Sequence, residues 1–223
     1  GPGRRRHPAP GMTGFIKHYP TVQAAEAAVQ RAWVARRAGV HTPAVLERIG
    51  PQSLCFERIE GAGRPDAAAL KRILPPLNRM PHTGLKRFDP FLRIRPRLPG
   101  APPLVRELAH RLMEEDASLN WPQTAVIHGD FHPGQVLCDA QGLLWLVDLD
   151  DLALAPPEAD LGNLAAWMAT QDVQDLSAPA PVPDPLADPA LTRHFFAIAL
   201  LRRALKLAEK GKTDVLNRLA LRS

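Results

Sequence analysis

The chain has 223 residues, of which 45% are hydrophobic, so it can bury a sizeable core as one large domain or as two lobes. Its formal net charge is +5, but the arginines are spread along the chain without an aromatic-interleaved basic platform, which argues against nucleic acid as a partner. The sequence has no apolar run of membrane-spanning length and no signal-peptide pattern, so we expect a cytoplasmic protein without a membrane partner.

The N-terminal part of the sequence predicts a compact unit of strands and one helix. Residues 15–19 alternate like a strand, and residues 22–38 form a helix-like segment with Thr21 as its N-cap. Residues 45–49 and 53–59 then read as two strands joined by a turn. Four apolar side chains fall on one face of this helix, namely Ala25, Val29, Ala32 and Trp33.

A glycine- and proline-containing break at residues 61–65 marks the predicted lobe boundary. It separates an abbreviated N-lobe, residues 1–60, from a mostly helical C-lobe, residues 61–223. A proline-rich loop is predicted over residues 178–189. Helices are predicted over residues 66–80 with Asp66 as cap, 102–118, 160–167 and 191–210.

The most informative motif follows an apolar strand and begins at His128. Gln135 lies five residues after Asp130, and Asp148 lies thirteen residues after Gln135. One carboxylate to accept a hydroxyl proton, with amide and carboxylate oxygens for Mg²⁺, is the chemistry of phosphoryl transfer from ATP. The motif therefore predicts Asp130 as the base, Gln135 and Asp148 as metal ligands, and His128 as a hydrogen-bonding anchor that supports the loop.

Three segments, residues 128–137, 146–151 and 156–164, together resemble the aminoglycoside phosphotransferase and choline kinase family of small-molecule kinases. The resemblance implies a bilobal, protein-kinase-like α+β fold. The small N-lobe would hold a short antiparallel sheet and one helix, and the C-lobe would be mostly helical. It also implies an enzyme that uses ATP, or alternatively GTP, and Mg²⁺ to phosphorylate a hydroxyl group of an aminoglycoside-, choline- or sugar-like acceptor.

The same resemblance assigns roles outside the central motif. Lys17 would grip the nucleotide phosphates, with Glu26 as its ion-pair partner. Adenine would bond to the carbonyl of Glu57 and the N–H of Ile59. Asp160 would support the catalytic loop by accepting hydrogen bonds from its backbone N–H groups.

The candidate acceptor site is predicted from the acidic residues that follow Asp148. Asp150, Asp151 and Glu158, with the segment from Trp167 onward, are candidates to line it. Extra carboxylates there would suit a cationic acceptor. The alternative reading is that Asp150 and Asp151 form a solvated turn after a strand.

Two features depart from the family pattern. Gln135 stands where the family usually has Asn, which places the amide oxygen about one methylene further out. Only sixteen residues precede Lys17, so the glycine-rich hairpin that normally covers the phosphates is predicted to be missing or much shortened. Either a second copy in a homo-oligomer or Arg4–Arg6 would then cover the phosphates, and the Gly11-x-x-Gly14 segment is a weak remnant of the hairpin.

Two other functions remain open from the sequence. A non-catalytic, kinase-like module that binds nucleotide would need the same fold without turnover. A metal-dependent hydrolase would instead use His128, Asp130, His132 and Asp148 as a metal cluster.

Overall fold

The structure, a computed structural model, describes residues 14–63, 65, 67–82, 84–171 and 187–220. These residues form two compact units. The first extends to Pro81 and includes Pro133–Asp150, and the second contains His82–His132 and the residues from Asp151 onward. This division differs from the predicted boundary at residue 60, because residues 61–81 and 133–150 pack with the N-terminal elements. The predicted phosphate-covering segment, the Asp66 cap and most of the proline-rich loop lie outside the described residues.

The first unit contains two small antiparallel sheets and three helices. The strands are β1 (Gly14–His18), β2 (Val45–Gly50), β3 (Ser53–Glu57), β4 (Gly61–Gly63), β6 (Val136–Asp139) and β7 (Leu144–Leu146). One sheet has the order β1-β3-β2 and the other the order β4-β6-β7. The helices are α1 (Val22–Arg37), α2 (Ala67–Lys71) and α3 (Leu74–Asn78).

Helix α1 begins where the sequence predicts, because Thr21 Oγ1 accepts a hydrogen bond from the Ala24 N–H at 3.1 Å. Its buried stripe consists of alanines, namely Ala25, Ala28, Ala32 and Ala35. Small side chains let the helix approach Tyr19, Leu54 and Phe56 closely. Trp33, which the sequence pattern places on one face with Ala25 and Ala32, is 58% exposed, because it lies beside the alanine stripe rather than on it.

The continuous helix predicted over residues 66–80 is also wrong, because the segment is broken into α2 and α3. Helix α3 starts at Leu74 and carries prolines in its first turn. Proline lacks an N–H and is accommodated at a helix start but not in a helix interior. Pro75 and Pro76 therefore begin a new helix.

The second unit is mainly helical. It contains α4 (Pro103–Leu119), α5 (Glu158–Gln171), α6 (Pro189–Ala208), α7 (Asp214–Ala220) and a two-stranded sheet of β5 (Ala125–Ile127) and β8 (Ala153–Ala155). Its largest core cluster draws on all four helices, with Val105, Ala109, Ala165, Leu201 and Leu216 among its members. No helix in the described part of the chain is long and apolar enough to cross a bilayer.

Helices α5 and α6 run in the same direction along their contact. Glu158 bonds to the backbone N–H of Asp188 where they start, and Arg203 bonds to Thr170 near their ends. A Cβ on Gly162 would lie 2.6 Å from the backbone nitrogen of Phe196, which is closer than a carbon atom can approach. The glycine therefore permits the close packing that aligns the polar side chains of the two helices.

Candidate active site

Asp160 supports the loop that carries Asp130. Its carboxylate is 1% exposed and accepts the backbone N–H groups of His128 at 2.7 Å and Gly129 at 3.0 Å. Burial raises the pKa of Asp160, while the charge of His128 and the two N–H donors oppose that shift. These are the contacts that the predicted loop-supporting role requires.

The backbone of the loop turns sharply at Gly129. The residue has φ +80°, and a Cβ there would lie 2.5 Å from the carbonyl oxygen of Asp151. His128 is fully buried, and its Nδ1 accepts a hydrogen bond from the Asp130 N–H at 3.3 Å. This contact agrees with His128 as an internal anchor, since it directs the ring nitrogen at the loop backbone.

The Asp130 side chain is held by an arginine from helix α6. Arg202 Nη2 donates to Asp130 Oδ1 at 2.8 Å and to Asn163 Oδ1 at 2.6 Å. Asn163 in turn donates to the carbonyl oxygen of Phe131 at 2.8 Å. Burial lowers the pKa of Arg202, and the neighbouring Asp130 carboxylate opposes this effect. Asp130 therefore has a fixed carboxylate orientation in the second unit.

A second arginine, Arg93, lies on the other side of Asp130. Its Nη1 is 3.4 Å from Asp130 Oδ2, and its Nη2 donates to Asp151. Burial acts to lower the pKa of Arg93, but the charges of Asp151 and Asp130 outweigh it and raise the pKa. Asp151, predicted as an acceptor-binding acid, is thus paired within the protein.

Sequence reasoning missed Arg93, Arg202 and Asn163. Asn163 lies inside the last family-like segment, so its position gave a usable signal. Arg202 is 72 residues from Asp130, and in the sequence it is one of several arginines on a helix. Local spacing carries no signal for such a pairing.

In the first unit, Lys17 joins two carboxylates from the end of the central motif. Its Nζ lies 2.7 Å from Asp148 Oδ1 and 2.6 Å from Asp150 Oδ2. Burial acts to lower the pKa of Lys17, but the hydrogen bonds and charges of these two aspartates outweigh it and raise the pKa. Asp150, the other predicted acceptor-binding acid, is therefore also paired.

Asp148 and Gln135 offer oxygen donors for a cation. Gln135 Nε2 lies 3.5 Å from Asp148 Oδ2, and a half-turn of the amide would bring its oxygen beside the carboxylate. Asp148 has φ +61°, an uncommon backbone conformation that recurs at functional sites. An amide and a carboxylate oxygen fit Mg²⁺, which keeps water and phosphate oxygens as its other ligands.

The structure corrects the partner predicted for Lys17. Glu26 lies 3.7 Å from Arg48 Nη1, and its side chain is 59% exposed. Helix α1 places its alanine stripe against the sheet, which leaves Glu26 on the outer side. Lys17 is paired with Asp148 and Asp150 rather than with Glu26.

A cavity of about 170 Å³ adjoins Lys17 and lies wholly in the first unit. Its walls include Phe15, Tyr19, Ala28, Phe56 and Val147. Burial and the nearby charge of Asp150 raise the pKa of Tyr19 to about 12. An apolar cavity beside a cationic side chain has the chemistry to hold the base of a nucleotide and, next to it, the phosphates.

The predicted adenine hinge lies at the end of β3, directly after Phe56. Glu57 N–H donates to the Ala44 carbonyl at 2.8 Å, and Glu57 Oε2 accepts from the Ala44 N–H at 3.1 Å. These bonds position the strand end that precedes Ile59. The roles of the Glu57 carbonyl and the Ile59 N–H remain predictions.

The described residues contain no group of three or more His, Cys, Asp or Glu side chains arranged to hold a metal ion. His128 is buried and its Nδ1 faces the loop backbone. The arrangement thus gives no support to the metal cluster that a hydrolase would need.

Comparison with known proteins agrees with this geometry. The model of the phosphotransferase enzyme family matches residues 7–183. No curated protein matches the chain.

Several solved structures resemble the chain over most of its length. Aminoglycoside phosphotransferase APH(3'')-Id from Streptomyces rimosus, in complex with ADP and streptomycin, is 20% identical, with 87% of this chain and 88% of that one covered and a TM-score of 0.61. Choline kinase LicA from Streptococcus pneumoniae is 16% identical, with 96% and 86% covered and a TM-score of 0.66. A choline/ethanolamine kinase family protein from Mesorhizobium loti is 22% identical, with 94% and 89% covered and a TM-score of 0.63. The predicted protein-kinase-like α+β fold is confirmed.

Proposed function

The chain belongs to the phosphotransferase enzyme family, and we propose that it transfers the γ-phosphoryl group of ATP to a hydroxyl group of a small molecule with Mg²⁺ as cofactor. The observation that carries this proposal is the approach of Lys17 to Asp148 at 2.7 Å, with Gln135 beside the same carboxylate. Phosphoryl transfer depends on charge neutralisation and positioning, and these three side chains supply the groups that it requires.

In the first unit, Lys17 would bind nucleotide phosphates, and Gln135 and Asp148 would hold Mg²⁺. When bound, Mg²⁺ would neutralise the charge that develops on the phosphoryl oxygens. Lys17 is now engaged by Asp148 and Asp150, so nucleotide binding would exchange part of these ion pairs for phosphate contacts. The apolar cavity beside Lys17 supports a nucleobase site in the same unit.

In the second unit, Asp130 would orient the acceptor hydroxyl and accept its proton. The acceptor oxygen forms a bond to the γ-phosphorus, the bond from that phosphorus to the β–γ bridging oxygen breaks, and ADP leaves. Because the proton moves late in a loose transition state, orientation of the carboxylate matters more than strong basicity. Arg202 and Asn163 supply that orientation.

Relatives of the fold support a nucleotide as one substrate. The Streptomyces rimosus structure contains ADP and streptomycin, and a LicA structure contains AMP. Since ATP is a metabolite of the cytoplasm, we propose that the reaction takes place there. GTP is the alternative nucleotide, so the experiment includes both.

The proposal is tested by incubating the protein with ATP or GTP, Mg²⁺ and a panel of hydroxyl compounds. Mass spectrometry should detect an acceptor with one added phosphoryl group, together with nucleoside diphosphate, and EDTA should abolish both. Thermal stabilisation by ATP with Mg²⁺, without product across a broad panel, would instead favour the non-catalytic nucleotide-binding module. Lack of both stabilisation and product would contradict the proposal.

A further inference from the structure

In each unit, the aspartates of the candidate site are already matched by cations. In the second unit, Arg202 bonds to Asp130 and Arg93 bonds to Asp151. In the first unit, Lys17 bonds to Asp150. The acids that would attract a cationic acceptor are thus engaged within the protein.

Two further cations, Arg203 and Lys206, follow Arg202 on helix α6. Arg203 donates from Nε to the hydroxyl of Thr170 at 2.7 Å, which is a neutral partner. Within the described residues, neither Arg203 nor Lys206 forms an ion pair with a carboxylate. Burial and the charge of Arg202 lower the pKa of Arg203, and the charge of Asp130 offsets this only in part. An anion bound beside the guanidinium would reduce the remaining cost of burying it.

These cations lie beside two stacked rings. The His132 and Trp167 rings are parallel within 1° with centroids 6.2 Å apart, and the Arg203 guanidinium carbon is 5.9 Å from the Trp167 centroid. We call His132, Trp167, Arg203 and Lys206 the basic patch. It adjoins the proposed base, because the charge of Asp130 acts on both Arg203 and His132.

Spacing on the two helices explains why the patch forms. Asn163, Trp167 and Thr170 lie at positions i, i+4 and i+7 of α5 and so share one face. That face meets α6, since Asn163 contacts Arg202 and Thr170 contacts Arg203. The side chains that orient Asp130 and those of the patch therefore belong to one rigid pair of helices.

The charge of the basic patch also affects the pKa of His132. Burial lowers the pKa of His132, and the charges of Arg203, His128 and Lys206 lower it further, against the opposing effect of Asp130. The local environment thus disfavours additional positive charge.

We propose that the acceptor bears an oxyanion, a carboxylate or phosphate group, which Arg203 and Lys206 bind while its hydroxyl faces Asp130. Trp167 supplies an apolar surface for the acceptor's carbon skeleton. The inference rests on the proposed function, because it specifies the acceptor of the same reaction. It predicts poor use of cationic acceptors such as streptomycin or choline.

The test compares acceptors that differ mainly in charge. Gluconate is paired with sorbitol, and glucose 6-phosphate with glucose, so that the two pairs distinguish a carboxylate from a phosphate; choline and streptomycin represent cations. We expect kcat/KM to be about ten-fold or more higher for the anionic member of at least one pair. Equal or better use of the neutral members or the cations would overturn the inference.

Variants then assign the preference to the patch. Arg203→Gln and Lys206→Gln should each raise KM for the favoured anion while leaving KM for its neutral counterpart unchanged, and Arg203→Lys should retain part of the preference. Arg193→Gln removes the same charge from an exposed position of α6 and should leave both KM values unchanged. An unchanged KM for the anion in both patch variants would contradict the assignment.

Direct binding separates failure of this inference from failure of the proposed function. Saturation-transfer NMR would measure binding of gluconate, sorbitol and glucose 6-phosphate, and calorimetry would measure ATP with Mg²⁺. A protein that binds ATP but neither anion overturns the inference alone. A protein that binds an anion through Arg203 but neither binds nor consumes nucleotide contradicts the proposed function and keeps the anion site.

Discussion

The ammonium group of Lys17 lies 2.7 Å from Asp148 Oδ1, although the two residues are 131 positions apart in the chain. The contact joins a residue on the first strand to one just after β7, and both belong to the same compact unit. A cation from the N-terminal strand and a carboxylate from the central motif are thus positioned together before any nucleotide arrives.

Replacing Lys17 by Met should lower kcat/KM for ATP by about ten-fold or more, corresponding to ~1.4 kcal/mol of lost transition-state stabilisation. The reason is loss of the cation that we assign to the phosphates. Steady-state kinetics with ATP as the varied substrate measures the effect.

Glu26→Gln provides a matched test of the corrected pairing. Glu26 contacts Arg48 on the exposed side of α1, so its replacement should leave kcat/KM within about two-fold of wild type, the range of a surface change. A loss comparable to that of Lys17→Met would show that Glu26 does pair with Lys17 during turnover.

Asp160→Asn should destabilise the protein and slow turnover. An amide in place of the buried carboxylate has one acceptor oxygen for the two N–H groups of His128 and Gly129. Loss of a charge-assisted hydrogen bond costs about 1.5–3 kcal/mol. Urea unfolding followed by circular dichroism measures the change, and exposed Asp214→Asn is the control, with an expected change below about 0.5 kcal/mol.

Much of the candidate site could be predicted from the sequence because its parts are local. Asp130, Gln135 and Asp148 lie on one strand-loop-strand segment, where spacing alone indicates their chemistry. Asp160 could be singled out for the same reason, as it lies in the first turn of the helix that follows. Thr21 likewise marked the start of α1, because an N-cap depends on a single residue.

The remaining contacts could not be predicted, because they depend on how distant elements are rotated against each other. The sequence pattern places Trp33 on the apolar face of α1, but alanines determine which side of the helix faces the sheet. The same rotation directs Glu26 toward Arg48. Arg93 and Arg202 contact Asp130 from outside the motif. Hydrophobic periodicity could not predict these contacts, because it describes only the element on which a residue lies.

Gly129→Ala should destabilise the protein more than Gly39→Ala. Both glycines have positive φ, near +80° and +85°, which costs an L-residue about 1–2 kcal/mol. Only at Gly129 would the new Cβ also meet the Asp151 carbonyl, at 2.5 Å, whereas nothing lies within 4 Å at Gly39. Overpacking adds about 1–3 kcal/mol. Equal losses in urea unfolding would mean that the loop adjusts without cost.

The free energy of unfolding should fall as the pH is lowered from 7 to 5, in part through His132. Its pKa in the folded protein is below the ordinary value of 6.5, chiefly because of burial. The unfolded chain then binds more protons in this range, so the stabilisation present above pH 6.5 is lost as the pH falls toward the folded pKa. His132→Gln should reduce this fall, and an unchanged fall in urea unfolding at the two pH values would assign it to other groups.

Asp130→Asn tests the centre of the proposal. The amide retains the shape of the carboxylate but cannot accept the acceptor proton, so kcat should fall by about 10²–10⁴-fold. The variant should remain folded, because Oδ1 still accepts from Arg202 and the residue lies outside the main helical core. Circular dichroism should show a folded protein that melts below wild type, because buried Arg202 loses its counter-charge, and calorimetry with ATP should give wild-type nucleotide affinity. Near-normal turnover in a folded variant would contradict the role of Asp130 as the base. It would also contradict the role of Arg202, since orienting the Asp130 carboxylate would then not matter for transfer.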